Sequence, residues 1–104
     1  MDLLVESYRL AQRLPADERF ALAQQIRRAS VSVPANIAEG YGRLHRGDYL
    51  HHVSIARGSL MEVDTLLEAM ERLGYATAFE LQPARELTDH VGRMLTRLWL
   101  GLRR

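Results

Sequence analysis

From Tyr49 to Met70 the chain places an apolar residue at alternating steps of four and three: Tyr49, Val53, Ala56, Leu60, Val63, Leu67 and Met70. Steps of that kind confine the apolar side chains to one narrow stripe of an α-helix, with polar residues around the rest of it. A helix of this sort gains little stability alone and has to bury its stripe. The partners that accept a heptad seam are other helices crossing at shallow angles, so the pattern demands a helical bundle. The repeat predicts a helix from near Asp48 to just before Gly74, on the order of 35–40 Å long.

Three more helical segments are legible, and no period-two strand pattern appears. The first is predicted from Asp2 to Arg13 with Leu3, Leu4, Tyr8, Ala11 and Leu14 on its inner side. Leu14-Pro15 ends it, because a residue before proline is pushed out of the α region. Pro15 suits the first turn of the second helix, where its missing N–H is not needed, and Asp17 and Glu18 favour the positive end of the helix dipole. Leu22, Ile26, Ala29, Val33 and Ile37 keep helical spacing across Pro34, although proline costs about 3 kcal/mol in a helix interior. The second segment therefore reads as a helix kinked at Pro34, or as two helices abutting near Ser30 to Val33 with Ser30 or Ser32 as cap. Gly40, Gly42 and Gly47 mark its end and a short connection. The fourth helix is expected to begin between Ala78 and Ala84, with Pro83 in its first turn, and to present Leu87, Val91, Met94 or Leu95, Leu98 and Leu102. Short connections make neighbours antiparallel, giving an all-α, up-down four-helix bundle in one domain, residues 1–104.

Composition narrows the function classes. With 47% hydrophobic and 26% charged residues in 104, the chain supports one packed core. Cysteine is absent, so disulfides and thiolate metal sites are ruled out, and a reducing compartment suits it. No apolar run approaches the roughly 20 residues of a membrane span, and the start lacks the pattern of a signal peptide. A cytoplasmic location is expected. Net charge is only +1, yet it is unevenly spread. Residues 27–57 hold Arg27, Arg28, Arg43, Arg46 and Arg57 against Glu39 and Asp48, a net +3, whereas Glu62, Asp64, Glu68 and Glu71 follow before Arg72. All fourteen basic residues are arginine, whose planar fork matches phosphate and carboxylate.

The five arginines between positions 27 and 57 are the candidate phosphate contacts, since backbone recognition needs several positive forks. The competing use is intersubunit salt bridging to the acidic stretch from Glu62 to Glu71. Only Tyr41 and Tyr49 lie nearby, so base stacking is not strongly signalled. Asn36 and Glu39 share a helical face, as do Glu62 and Thr65, and both pairs are candidates for a structural polar network, with direct ligand contact as the alternative. In that network Glu39 reaches Arg43, and Asn36 satisfies backbone freed by Pro34. His45, Asp48 and His52 have metal-like spacing but no second cluster to complete a site, so no metal and no other cofactor is expected. Inward positions are spent on Leu, Val and Met, which leaves no catalytic constellation and points to a non-enzymatic protein. Ile55, Leu66, Trp99 and Leu100 lie outside the seams and suggest an oligomer interface.

The run Ile26-Arg-Arg-Ala-Ser-Val-Ser-Val-Pro-Ala-Asn-Ile-Ala-Glu-Gly-Tyr-Gly-Arg43 resembles the signature of the 23S-rRNA intervening-sequence protein family. The resemblance continues through Asp48-Tyr49, the stretch Ile55 to Thr65 and Leu73-Gly-Tyr75. It implies a four-helix bundle that assembles, like the distantly similar accessory proteins of diversity-generating retroelements, into a homopentamer. A ring would repeat the +3 segment around its axis. The implied role is an oligomeric scaffold that binds RNA or DNA backbone. The alternative is a protein–protein adaptor, for example one docking a reverse transcriptase, whose arginines serve ring assembly. Where the family usually has Ser or Thr to cap the third helix, this chain has His45, which leaves the cap to Gly47 or Asp48.

Overall fold

A computed structural model describes residues 1–103. Four α-helices follow in order: α1 Asp2–Gln12, α2 Leu22–Tyr41, α3 Arg46–Arg72 and α4 Ala78–Arg103, with one 3₁₀ turn, Ala16–Glu18, between α1 and α2. There is no strand among the described residues. The helices pack α1 on α2, α2 on α3, α3 on α4 and α4 back on α1. Cross-helix contacts set the directions: Ser59 meets Ser32, Arg85 meets Glu68, and Arg13 meets Glu80. Every neighbouring pair is antiparallel, so the expected up-down bundle is what forms.

The α3 seam occupies the centre. Val53, Ala56, Leu60, Val63, Leu67 and Met70 are all buried, and Tyr49 packs half-buried at the end of the row. Fully burying one such aliphatic side chain contributes roughly 1.5–3 kcal/mol, far more than the helix propensity of the segment. Past its end Gly74 takes φ +79, the left-handed conformation that only glycine adopts freely. Tyr75 N–H bonds Met70 O and Gly74 N–H bonds Glu71 O, a Schellman termination of α3.

The other stripes differ from expectation in phase and extent. On α1 the buried face is Leu3, Ser7, Leu10 and Ala11, one position away from the expected Tyr8, which is exposed. Pro15 precedes the 3₁₀ turn rather than starting α2, which begins at Leu22. Helix α2 then runs unbroken to Tyr41 through Pro34, so two abutting helices do not form. Ser30 is not a cap either: its hydroxyl donates to Arg27 O at 3.0 Å, within the helix. On α4 Leu81, Ala84, Thr88 and Leu95 are buried and Val91, Leu98 and Leu102 half-buried, a heptad row using Thr88 in place of Leu87. Pro83 falls in the second turn of α4, whose start carries a capping box. Thr77 N–H donates to Glu80 Oε1 at 2.9 Å, and Glu80 N–H donates to Thr77 Oγ1 at 3.1 Å.

Helix α1 is far shorter than α3 and α4. Its first residues, Leu3 and Leu4, line one hollow with Val33, Pro34, Ile37, Val91 and Met94. Beyond that level only α2, α3 and α4 continue, where Tyr49, Leu98 and Leu102 stay half-buried. The bundle thus has a four-helix half and a three-helix half along its 44 Å length. The surplus apolar residues divide: Leu66 and Trp99 pack half-buried against the core, while Ile55 and Leu100 are exposed.

Candidate nucleic-acid interface

The antiparallel register sorts the charges. Ser32 against Ser59 and Leu60 against Gly92 define one level across the bundle. Residues 32–60 and 92–103 lie on one side of it and carry six arginines against two acidic residues, a net +4. Residues 1–31 and 61–91 lie on the other side with seven arginines against eleven acidic residues, a net −4. A chain of almost no net charge is therefore a strongly dipolar body.

Pairing follows the same division. Of the seven ion pairs among the described residues, six belong to the acidic half: Arg9–Glu6, Arg13–Glu80, Arg28–Glu62, Arg72–Glu68, Arg85–Glu68 and Arg85–Glu71. The basic half has Arg43–Glu39 at 2.8 Å. The capping bonds from Thr77 and the Arg13 guanidinium hold the Glu80 carboxyl down, to a pKa of about 2.

The five arginines marked by sequence do not form one patch. Arg27 is half-buried with its guanidinium 5.8 Å from the centre of the Tyr8 ring. Arg28 donates to Gln25 and faces Glu62 at 4.0 Å, in the acidic half. Arg43 and Arg46 flank the α2–α3 turn, some 22 Å farther along the bundle. Arg57 lies on the opposite side of α3, in a groove between α3 and α4. Arg93 and Arg97 on α4 complete its basic side, and Arg103 lies over the Trp99 ring at 4.7 Å. Sequence reasoning passed over these three. Their signal was the spacing Arg93, Arg97 on one face of an otherwise apolar-read helix.

The α3–α4 groove has a volume of about 540 Å³. Its floor is Leu60, Met61 and Gly92, with Arg57, Arg93 and Arg97 towards one end and Asp64 and Asp89 towards the other. None of these five charged side chains makes an ion pair or hydrogen bond with a described residue. Thr88 and Thr96 line the groove too, but their hydroxyls donate to Arg85 O and Gly92 O.

The expected polar network exists with different members. Asn36 Nδ2 donates to Ser32 O at 2.9 Å and lies 3.0 Å from Ser32 Oγ, and Ser59 Oγ donates to Ser32 Oγ at 2.7 Å. His52 Nδ1 lies 3.1 Å from Asn36 Oδ1, so with that oxygen accepting, Nδ1 carries the proton. Helical register assigns Pro34 the carbonyl of Ser30 as the one it deprives, so Asn36 serves Ser32 instead. Glu39 is outside the network, exposed and paired with Arg43 as expected. Glu62 and Thr65 do not join it: Glu62 faces Arg28, and the Thr65 hydroxyl donates to Met61 O. His45 forms the N-cap of α3 through its backbone alone, not Gly47 or Asp48. Gly40 lets α2 and α3 approach beside the network, since a Cβ there would come within 2.8 Å of His52 Cβ. No group of three or more His, Asp or Glu residues with metal-site geometry exists among the described residues. No helix among them is long and apolar enough to cross a membrane.

Residues 1–97 match the family described as 23S rRNA-intervening sequence protein. The bundle is similar to a crystal structure from Bacteroides thetaiotaomicron VPI-5482, a protein with unknown function from the S23 ribosomal protein family. The two superpose with a TM-score of 0.87 at 23% identity, over 94% of this chain and 92% of that one. At that identity the likeness speaks for the fold. No curated protein matches the chain.

Proposed function

The chain belongs to the 23S rRNA-intervening sequence protein family, and from that premise we propose that it is a non-enzymatic, oligomeric scaffold that binds RNA or DNA backbone. The observation that carries this reading is the basic half, where Arg57, Arg93 and Arg97 have no acidic partner within the described chain. Arginines left in water beside an apolar floor are available to phosphate, and each neutralised phosphate contributes by counterion release. The binding face is the groove side that presents Arg57, Arg93 and Arg97, while Arg43, Arg46 and Arg103 lie elsewhere on the basic half and add to its field. Arg27 and Arg28 fall in the acidic half and contribute less. Assembly into a ring of five, as the family resemblance implies, would repeat the face around an axis and multiply its field. We place the protein in the cytoplasm.

The test is fluorescence anisotropy of the purified oligomer with a structured RNA and a DNA duplex across a salt series. The expected log affinity falls against log salt by about 0.9 for every duplex phosphate engaged. Arg57→Glu with Arg93→Glu should abolish most of it while the oligomer stays intact by light scattering. Unchanged binding in that double variant removes the proposed face.

One observation favours a second reading. A body with a basic and an acidic half can pair head to tail with copies of itself, the arginines closing a ring or holding a protein partner. Under that reading high salt dissociates the oligomer, whereas a ring closed by apolar stripes survives it.

A further inference from the structure

The α3–α4 groove carries two unpaired carboxylates as well as three unpaired arginines, and backbone binding uses only the arginines. Leu60 against Gly92 fixes the register of the two helices. In that register Arg57 comes level with Arg93 and Arg97, and Asp64 with Asp89. Arg57 and Asp64 are seven residues apart on one face of α3, about 10 Å along the axis. Between the charged ends lies the apolar floor of Leu60, Met61 and Gly92. The absence of a side chain at Gly92 keeps that floor open, and a volume near 540 Å³ lies within the range of small-molecule sites.

Resting on the nucleic-acid reading above, we propose that this groove seats one unpaired nucleotide of a single strand and reads its base for an exocyclic amino group. Arg57, Arg93 and Arg97 take the phosphates, as forks suited to them. The base lies on Leu60 and Met61, with its edge towards Asp64 and Asp89. Ionised carboxylates only accept hydrogen bonds, so they favour edges that present amino donors and disfavour edges dominated by carbonyl oxygens. Cytosine, adenine and guanine carry such an amino group; uracil does not. Splaying an unpaired base into a protein site is the usual route to sequence preference in single strands. The Thr88 and Thr96 hydroxyls donate to backbone carbonyls, which leaves donor selection to the aspartates.

The experiment measures oligo(C), oligo(A) and oligo(U) of equal length, with a DNA duplex as the backbone-only reference, on the intact protein and two variants. The native protein should bind oligo(C) and oligo(A) about tenfold more tightly than oligo(U). Asp64→Asn with Asp89→Asn should compress that ratio towards one without weakening overall binding, since it removes negative charge. Gly92→Leu fills the floor without altering charge. It should lower affinity for the single strands about tenfold and leave duplex binding and its salt slope unchanged. Equal affinity for all three oligomers, or a Gly92→Leu protein that binds them normally, overturns the nucleotide site while duplex binding keeps the backbone reading alive. Failure to bind any nucleic acid at low salt overturns both. Dissociation of the oligomer by Gly92→Leu would show that a second copy fills the groove, and it too overturns the proposal.

Discussion

Both halves of the bundle hold arginines in nearly equal number, yet they use them differently. In the acidic half every one is engaged: Arg9, Arg13, Arg28, Arg72 and Arg85 in ion pairs, Arg19 and Arg27 over the rings of Phe20 and Tyr8. In the basic half Arg43 has Glu39 and Arg103 has Trp99, while Arg57, Arg93 and Arg97 face only solvent and the groove. Both halves leave large apolar side chains exposed, Phe20, Leu73 and Phe79 in the acidic one and Tyr41 and Leu44 in the basic one, so the difference lies in how the arginines are used. Arg9, Arg43 and Arg72 find a carboxylate one turn away in their own helix, whereas Arg13, Arg28 and Arg85 depend on acidic residues that neighbouring helices bring to their level.

Substitutions can break or sharpen that contrast, beginning with the largest effect. Leu81→Ala, in the fully covered half, should cost about 2–5 kcal/mol in chemical denaturation. Leu98→Ala, half-buried where α1 does not reach, should cost clearly less; an equal cost would mean that a partner covers the basic half. Gly40→Ala should follow at about 1–3 kcal/mol, because the new Cβ would meet His52 Cβ and the Tyr49 ring where α2 and α3 touch.

Next comes Glu80→Gln, a probe of the self-satisfied half. The folded Glu80 carboxyl titrates near 2, below its ordinary value of 4.5, so its contribution is complete above about pH 4.5. That contribution fades as pH falls from there towards 2. The melting temperature of Glu80→Gln should lie below that of the parent at neutral pH, with the gap closing over that acidic interval. A gap independent of pH would mean that the Thr77 and Arg13 contacts do not act through the charge. Smallest of all, Arg57→Ala and Arg93→Ala should change stability by less than about 0.5 kcal/mol, there being no intramolecular partner to lose. Arg85→Ala, which strips Glu71 of its cation and leaves Glu68 with Arg72 alone, should cost up to about 1 kcal/mol in the same assay.

Particular residues mark how far the fold was legible. The α3 row was read residue for residue because seven apolar positions in strict alternation leave one face to bury. The α1 face was misplaced by one position: Tyr8 looked apolar and Ser7 polar, yet Ser7 is buried without a hydrogen-bond partner for its hydroxyl among the described residues. Tertiary packing chose the small residue for the interface and put the large ring outside, under Arg27. On α4 Leu87 packs half-buried against the core as expected, but the fully buried place beside it goes to Thr88, whose hydroxyl is satisfied by Arg85 O. The start of α4 falls at Ala78, the first residue of the expected range, and Thr77-Ala-Phe-Glu80 fixes it there with the Thr-x-x-Glu spacing of a capping box.

The candidate site was less legible than the fold. A segment-by-segment count of charge singled out residues 27–57, but it grouped Arg28 with Arg57 although their partners lie on different helices. It also missed Arg93 and Arg97, which stand far away in the chain. The Asn36 network was seen in part; Ser59 and His52 enter it only because α3 returns antiparallel beside α2.

What the amino-acid sequence determined alone is the set of four helices, the seam of α3 and the glycine that ends it. These depend on contacts within a few residues, where helical period and backbone conformation are already specified. Beyond the one-turn pairs of Arg9, Arg43 and Arg72, which arginines find a carboxylate, as Arg13, Arg28 and Arg85 do, and which do not, as Arg57, Arg93 and Arg97, was decided only in the tertiary structure. Charges interact across space, and the register of α3 against α2 and α4 chooses the neighbours that no local pattern contains.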